Sequence, residues 1–530
     1  MKIVVAEKMS PAALQIFLDE PEWQVITPAQ IHGDLAAQVA DADALMVRSA
    51  VDVNSELLHH ARKLRVIGRA GVGVDNIDLD AATKAGIAVM NTPGANAVAV
   101  AEHTIALMLA LARHLTRADV TTRAGKWEKK SLQGSELRAK TLGIVGLGKV
   151  GFEVARRAKA FQMDVLAHDP FVSSSVVAQL GITLVSLDEI FARADYLSLH
   201  VGLTPQTTGM INQASIARMK PGARIINCAR GELIDDAALA AALASGQLGG
   251  AGLDVFTEEP PRESPLLGLD NVVATPHIAG STSEAQEQVG LQIAMQVREY
   301  LKHGVIQNAV NVPSVSHDEY VEMQPFIILG ERLGSFLAQA SDGNLVEISL
   351  RYAGRLTEWK TELIRNAVIK GILNQMLSEK ANLVNAAALA EERGIRVHEH
   401  KKDRASGGNA DVLSVRLKTT MEERLAKGSV LHGHLPRLLA LDDIDIEVPL
   451  ERNLLYLRNR DVPGVIGRIG TILGQHQVNI ANFSLGRSLR KDFRDVEAIA
   501  VVQVDSPVPE AAVRELRTIE AVTAVKAMRL

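Results

Sequence analysis

Hydrophobic positions in the first 95 residues fall into short runs separated by stretches of helical spacing. Residues 3–5, 44–47, 64–67 and 87–90 read as strands, and residues 11–18 as a helix between the first two. Strands alternating with helices predict a parallel sheet. Residues 97–118, rich in Ala and Leu, predict one long helix. A second alternating series follows, with strands at 142–145, 165–167, 196–199, 224–227, 252–255 and 272–274, then a helix at 283–302. The pattern describes two α/β lobes, Rossmann-like or flavodoxin-like, joined by two long helices. The cleft between such lobes can enclose ligands.

The rhythm changes after residue 313. Helical patterns at 326–340 and 357–377 mix with strand-like pieces such as 346–351 and 411–418, which predicts an α+β domain without a chemical motif. Met421, Glu422, Glu423 and Arg424 read as a solvated turn or hairpin. From 454 to 528 the order is strand, helix, strand, strand, helix, strand, the ferredoxin-like βαββαβ pattern. The expected division is 1–96 with 281–312, 97–280, 313–446 and 447–530.

Composition narrows the class. A chain of 530 residues, 47% apolar and 22% charged, is globular and multidomain. A net charge of −5 argues against nucleic acid as a partner and leaves room for a local basic pocket. The single cysteine, Cys228, cannot form an internal disulfide. The initial apolar run is too short for a secretory segment, and the most apolar later stretch is far short of a membrane span. A cytoplasmic protein without a metal site is the expectation.

The first chemical motif follows the strand 142–145. Gly146, Gly148 and Gly151, with Lys149 and Val150 between them, form G-x-G-x-x-G between a strand and a helix. Gly146 permits the tight turn, Gly148 lets backbone amides approach a pyrophosphate, and Gly151 lets helix pack on strand. Asp169, just past the next strand, stands where a carboxylate meets ribose hydroxyls and repels a 2′-phosphate, which favours NAD over NADP. Moving a hydride between an alcohol and NAD also needs a base for the hydroxyl proton and a cation for the substrate's anionic end. Three segments past later strands offer such groups: Asn227-Cys228-Ala229-Arg230-Gly231, Asp254-Val255-Phe256-Thr257-Glu258-Glu259-Pro260 and Pro276-His277. Taken singly, Arg230 reads as a salt bridge, Glu259 as a loop carboxylate and His277 as a packed histidine. Spacing alone does not decide between these readings.

Together the three segments resemble the catalytic signature of the D-isomer-specific 2-hydroxyacid dehydrogenases, a likeness that covers residues 1 to about 310. The resemblance implies that His277 is the general acid/base, that Glu259 supports its protonated form, and that Arg230 holds the substrate carboxyl and carbonyl. With the glycine motif and Asp169, it makes Cys228, Ala229, Arg230, Asp254, His277 and Gly280 the expected cofactor-facing positions. Arg48, Arg69, Gly71, Val72 and Gly73 resemble the branch of that family that oxidises 3-phospho-D-glycerate. There the glycine loop meets the carboxylate, the two arginines meet the phosphate, and Lys129 with Lys130 adds charge from a neighbouring subunit. Trp127 resembles a family position at a subunit interface, the alternative being a tryptophan buried within its own chain. The domain order resembles that branch's long form, with an intervening domain and an ACT domain. It implies oxidation of 3-phosphoglycerate to 3-phosphooxypyruvate with NAD, the first step toward L-serine, in a homo-oligomer such as a tetramer. Asn459, Asp461 and Asn479 match the ACT pattern for an amino-acid effector, with L-serine the candidate. Two other readings stay open. One is a dehydrogenase of glyoxylate, hydroxypyruvate or D-lactate, and the other is an NAD(H)-sensing corepressor on the same fold.

Overall fold

The computed structural model describes residues 1–31, 33–173, 177, 180–377, 380–401, 411–488 and 496–530. The first lobe is a five-stranded parallel sheet of β1 (Lys2–Val5), β2 (Gln24–Ile26), β3 (Ala44–Val47), β4 (Val66–Arg69) and β5 (Ala88–Met90), in the order β2-β1-β3-β4-β5. β1, β3 and β5 are almost wholly buried, which is why they appear as unbroken apolar runs. β2 lies at the edge, and its half-exposed Gln-Val-Ile escapes a reading based on such runs.

The second lobe holds β6 (Thr141–Val145), β7 (Asp164–His168), β8 (Thr183–Leu184), β9 (Tyr196–Leu199), β10 (Ala223–Asn227), β11 (Leu248–Leu253) and β12 (Val272–Ala274). All seven are parallel, in the order β12-β11-β10-β9-β6-β7-β8. The order reverses between β6 and β9, and ligands of such sheets bind outside the carboxyl ends of the strands at that point.

The predicted helix 97–118 is two helices, Ala97–Arg113 and Leu115–Arg123. His114 breaks it by adopting a left-handed φ of 51°. The first of the two packs on the second sheet, with Leu107 and Leu111 against Gly252 and Gly250. The return helix, Ser283–His303, is capped by the Thr282 side chain and ends at Gly304 with φ 73°. It packs on the first lobe, where Val289, Ile293 and Val297 share a core with Ile3, Val5 and Phe17. Each connecting helix is thus fixed to one lobe, and the cleft lies between the two.

The third sheet contains β13 (Leu345–Ala353), β14 (Arg396–Lys401), β15 (Val412–Thr419), β16 (Glu423–Leu431), β17 (Leu435–Leu441) and β18 (Ile444–Pro449), in the order β14-β13-β15-β16-β17-β18. Only β13 and β14 pair in parallel. One long helix, His317–Ala340, starts nine residues before the predicted 326 because a Ser316–Glu319 capping box nucleates it ahead of Pro325. The last sheet, β19 (Asn453–Arg460), β20 (Ile480–Arg487), β21 (Glu497–Val504) and β22 (Val522–Arg529), is antiparallel in the order β20-β21-β19-β22, as the ferredoxin-like pattern requires.

The seam between these last two units corrects one expectation. Residues 420–422 do turn, but Arg424 is buried rather than solvated. Its guanidinium donates to Glu422 (2.8 Å), Asp442 (3.1 Å) and the Tyr456 hydroxyl (3.2 Å). At the same seam the Lys526 ammonium, on the residue paired across strands with Tyr456, donates to the Ala340 and Ser341 carbonyls (3.1 Å each) and to Asp342 (2.9 Å), closing the end of the long helix.

Candidate active site

The cleft between the first two lobes has a volume of about 940 Å³. Arg48, Arg69, Gly71, Val72 and Gly73 line it from one side, and Val150, Cys228, Ala229, Arg230, Asp254, Glu259, His277 and Gly280 from the other. Sequence positions hundreds of residues apart therefore meet, because each follows the carboxyl end of a strand.

His277 carries the clearest local geometry. Its Nδ1 lies 2.7 Å from Glu259 Oε2, so Nδ1–H donates to the carboxylate and Nε2 is left for the cleft. The other Glu259 oxygen accepts from the Phe256 amide at 3.1 Å, which fixes the carboxylate. His277 holds φ at 53°, a left-handed conformation that a non-glycine residue adopts only when its surroundings impose it. Asp254 imposes it. Its carbonyl accepts from the His277 amide (2.8 Å), while its carboxylate accepts from the amides of Ile278 (2.9 Å) and Ala279 (2.8 Å) and from the Thr275 hydroxyl (2.6 Å). Although burial opposes its charge, these bonds and His103 hold the Asp254 carboxyl below its ordinary range. His103, from the first connecting helix, bonds Thr275 at 2.9 Å and completes the support.

The opposite wall is cationic. Arg69 lies folded against Gly71, where a methyl group would collide with its guanidinium, and Arg230 lies against Gly73 in the same way. Burial first, then the nearby charge of Arg230, holds Arg69 below the ordinary arginine range, and its Nε is buried without a hydrogen-bond partner. Arg48 is set by Glu7, whose carboxylate accepts from the amides of Arg48 (2.7 Å) and Val51 (3.1 Å). Its guanidinium donates to Gln286 on the return helix. A half-buried guanidinium cluster with an unused donor is suited to an anion of more than one charge.

The glycine motif fits a dinucleotide. Gly146 has φ 92° and lies against the His200 carbonyl, while a methyl on Gly151 would strike the Gly146 carbonyl. Gly148 faces open space at the start of the helix Lys149–Ala160, which no side chain caps. Such an end presents free amides and positive potential to a phosphate. Asp169 sits at the tip of β7 and accepts from the Leu147 amide at 2.8 Å, so its carboxylate borders the glycine turn.

Other expected residues fall elsewhere. Lys129 is exposed and does not line this chain's cleft. Trp127 is 83% exposed, which rules out burial within its own chain. In the last domain Asn459 and Asp461 lie at one end of the sheet, where Arg460 pairs with Glu497. Asn479 lies at the other end, next to Ile480, which pairs with Val504. One copy of the chain therefore does not join the three. Asp461 instead binds Arg487 (3.1 Å), and Asn479 binds Asp505 (2.6 Å). Asn96 and Gln286 line the cleft and were not expected from sequence. Asn96 Oδ1 is buried without a partner, a property visible only once the lobes are assembled.

Comparison with known proteins agrees with this geometry. Residues 105–279 match the D-isomer specific 2-hydroxyacid dehydrogenase NAD binding domain, residues 322–442 the D-3-phosphoglycerate dehydrogenase intervening domain, and residues 454–521 the ACT domain. Among solved structures, D-lactate dehydrogenase from Aquifex aeolicus, complexed with NAD and lactic acid, is 31% identical with a TM-score of 0.53. The match covers 59% of this chain and 100% of that one. A glyoxylate reductase from Paecilomyes thermophila is 32% identical, also at 0.53, over 58% of this chain and 98% of its own. Over full length the resemblance is more specific. The D-3-phosphoglycerate dehydrogenase of Synechocystis sp. is 41% identical over 97% of this chain and 92% of that protein. That of Methanocaldococcus jannaschii is 39% identical over 100% of both. Alike over nearly the whole length of these relatives, the chain belongs to the D-3-phosphoglycerate dehydrogenase family.

Proposed function

We propose that this chain oxidises 3-phospho-D-glycerate to 3-phosphooxypyruvate with NAD, the first step toward L-serine. The observation that carries the substrate is the half-buried cluster in which Arg230, on the same wall as the His277–Glu259 pair, meets Arg48 and Arg69 from the opposite wall of one cleft. An acid with a single carboxylate needs one guanidinium, whereas a phosphorylated acid can use all three.

When bound, NAD supplies the hydride acceptor. Gly146, Gly148, Lys149, Val150 and Gly151 with Asp169 would hold it, and Cys228, Ala229, Asp254 and Gly280 would line its path. Arg230 and the amides of Gly71, Val72 and Gly73 hold the substrate carboxylate, and Arg48 and Arg69 the phosphate. His277 Nε2 takes the hydroxyl proton, and Glu259 stabilises the imidazolium that results. In the reverse direction the same Nε2 returns the proton.

The sheets support a division into 1–96 with 281–312 and 97–280, while β18, which ends the third sheet at Pro449, moves the expected 446/447 boundary between the last two units to about residue 450. The exposed Trp127, with Leu115 (52%) and Val120 (66%) exposed nearby in sequence, supports a homo-oligomer to which a second copy brings Lys129. The separation of Asp461 from Asn479 supports an L-serine site shared between ACT domains of two copies. Cys228, the single cysteine, supports a reducing, cytoplasmic location because no internal disulfide can form.

NADH formation at alkaline pH, compared among 3-phosphoglycerate, D-glycerate and D-lactate, tests the reading. A preference for the phosphorylated acid, lost in an Arg48→Ala/Arg69→Ala double variant, is expected. Equal rates on all three acids would move the assignment to another D-2-hydroxyacid.

A further inference from the structure

Arg230, the guanidinium assigned to the substrate carboxylate, is already in use. Its Nη2 donates to Asp75 Oδ2 at 2.9 Å, its Nε to the same oxygen at 3.2 Å, and its Nη1 to the Ala229 carbonyl at 2.6 Å. The Nε–Nη2 edge is one of the faces with which arginine grips a carboxylate. Asp75 comes from the substrate lobe, two residues past Gly73, and its side chain is 66% exposed, whereas that of Arg230 is 29% exposed. The bridge therefore crosses the cleft from lobe to lobe. It is held in place on the arginine side by Gly73, whose lack of a Cβ admits Arg230 Nη2. Asp75 also partly offsets the mutual repulsion of Arg69 and Arg230.

We propose that Asp75 is an internal stand-in for the substrate's carboxylate. It occupies Arg230 until an anion displaces it, and so it sets the substrate affinity of the cleft without taking part in the chemistry. This rests on the reading of Arg230 given above. The displaced aspartate has an exit, because most of its side chain already meets solvent. An anion with two charged ends is favoured over a lone carboxylate, because Arg48 and Arg69 compensate for the lost bridge only when a second charge reaches them. A carboxylate in exposed competition is worth roughly 0.2–1 kcal/mol, which corresponds to at most about a fivefold change in affinity.

The test uses the full-length enzyme with NADH bound and oxalate, an unreactive dicarboxylate, as the probe, beside steady-state kinetics with 3-phosphoglycerate. Asp75→Asn is expected to lower both the oxalate Kd and the KM by about three- to fivefold, with kcat within twofold of wild type. Asp75→Ala should do the same, and NADH affinity should be unchanged in both. In an Arg230→Ala background the Asp75→Asn change should have no effect on oxalate. A raised KM or a tenfold lower kcat in Asp75→Asn would overturn the proposal, because Asp75 would then be aiming Arg230 rather than blocking it. Tighter oxalate that persists in the Arg230→Ala background would also overturn it, since the effect would then be through-space charge. If Arg230→Ala binds oxalate as tightly as wild type, the role of Arg230 itself fails. If Arg230→Ala binds weakly while Asp75→Asn matches wild type, only the stand-in fails.

Discussion

Two arginine-centred regions of this molecule are built in opposite ways. At the seam between the third and fourth domains Arg424 is buried, its Nε bonded to Glu422 and its Nη1 to Asp442 and Tyr456, and the attraction of these groups outweighs burial and raises its pKa. In the cleft Arg69 is partly buried, faces Arg230 and Arg48, keeps an Nε without a partner, and has its pKa lowered. The first arrangement joins two domains. The second is incomplete until an anion arrives. A guanidinium set among other cations suits an arriving anion, and one set among carboxylates suits a joint.

The largest expected effect falls on the cleft alone. His277→Ala should lower kcat by roughly 10²–10⁴-fold while leaving the melting temperature unchanged, because the ring is half exposed and, among the described residues, bonds only Glu259. Next, Arg424→Met should reduce unfolding free energy by about 3–5 kcal/mol in urea, since it leaves Glu422 without this cation and Asp442 with Arg458 at 3.8 Å, with KM unaltered. Arg69→Met should raise KM for 3-phosphoglycerate about tenfold or more without loss of stability, since no bond to its Nε is broken. Should Arg69→Met unfold the enzyme, or Arg424→Met weaken the substrate, the contrast between site and joint would collapse.

A smaller effect concerns pH. His200 lines the cleft with its Nε2 2.8 Å from the Ser198 hydroxyl, and burial pushes it from its ordinary 6.5 to about 4. As pH falls through 6.5 the unfolded chain gains a proton that the folded chain refuses until about pH 4. Stability should therefore drop across that window by on the order of 2 kcal/mol, discounted because the ring borders an open cleft. His200→Asn should flatten that part of the profile in urea titrations at several pH values. An unchanged profile would mean that His200 takes its proton at the ordinary value.

The buried strands and the glycine motif were legible because their signals are local. β3 is a continuous apolar run, and Gly146, Gly148 and Gly151 span the turn from strand to helix within eleven residues of the strand's start. The edge strand β2 and the break at His114 were not legible, because half-exposed residues and a single left-handed φ leave no periodic trace. The residues of the reacting pair were named by resemblance and brought together only by the fold. Arg424 was misread as solvated because a charged residue beside a turn looks exposed until a second domain covers it.

By itself, the sequence determined most of the buried strands and helices, the dinucleotide turn, and the identity of the charged groups. These follow from side-chain period and from backbone freedom at a few glycines, which act over a handful of residues. The tertiary structure alone decided that Asp75 and Arg230, 155 residues apart, share a hydrogen bond. It also decided that Asn459 and Asn479 do not share a site within one chain, although only twenty residues separate them. Proximity across a cleft or a sheet depends on packing and strand register, and neither is written in local sequence.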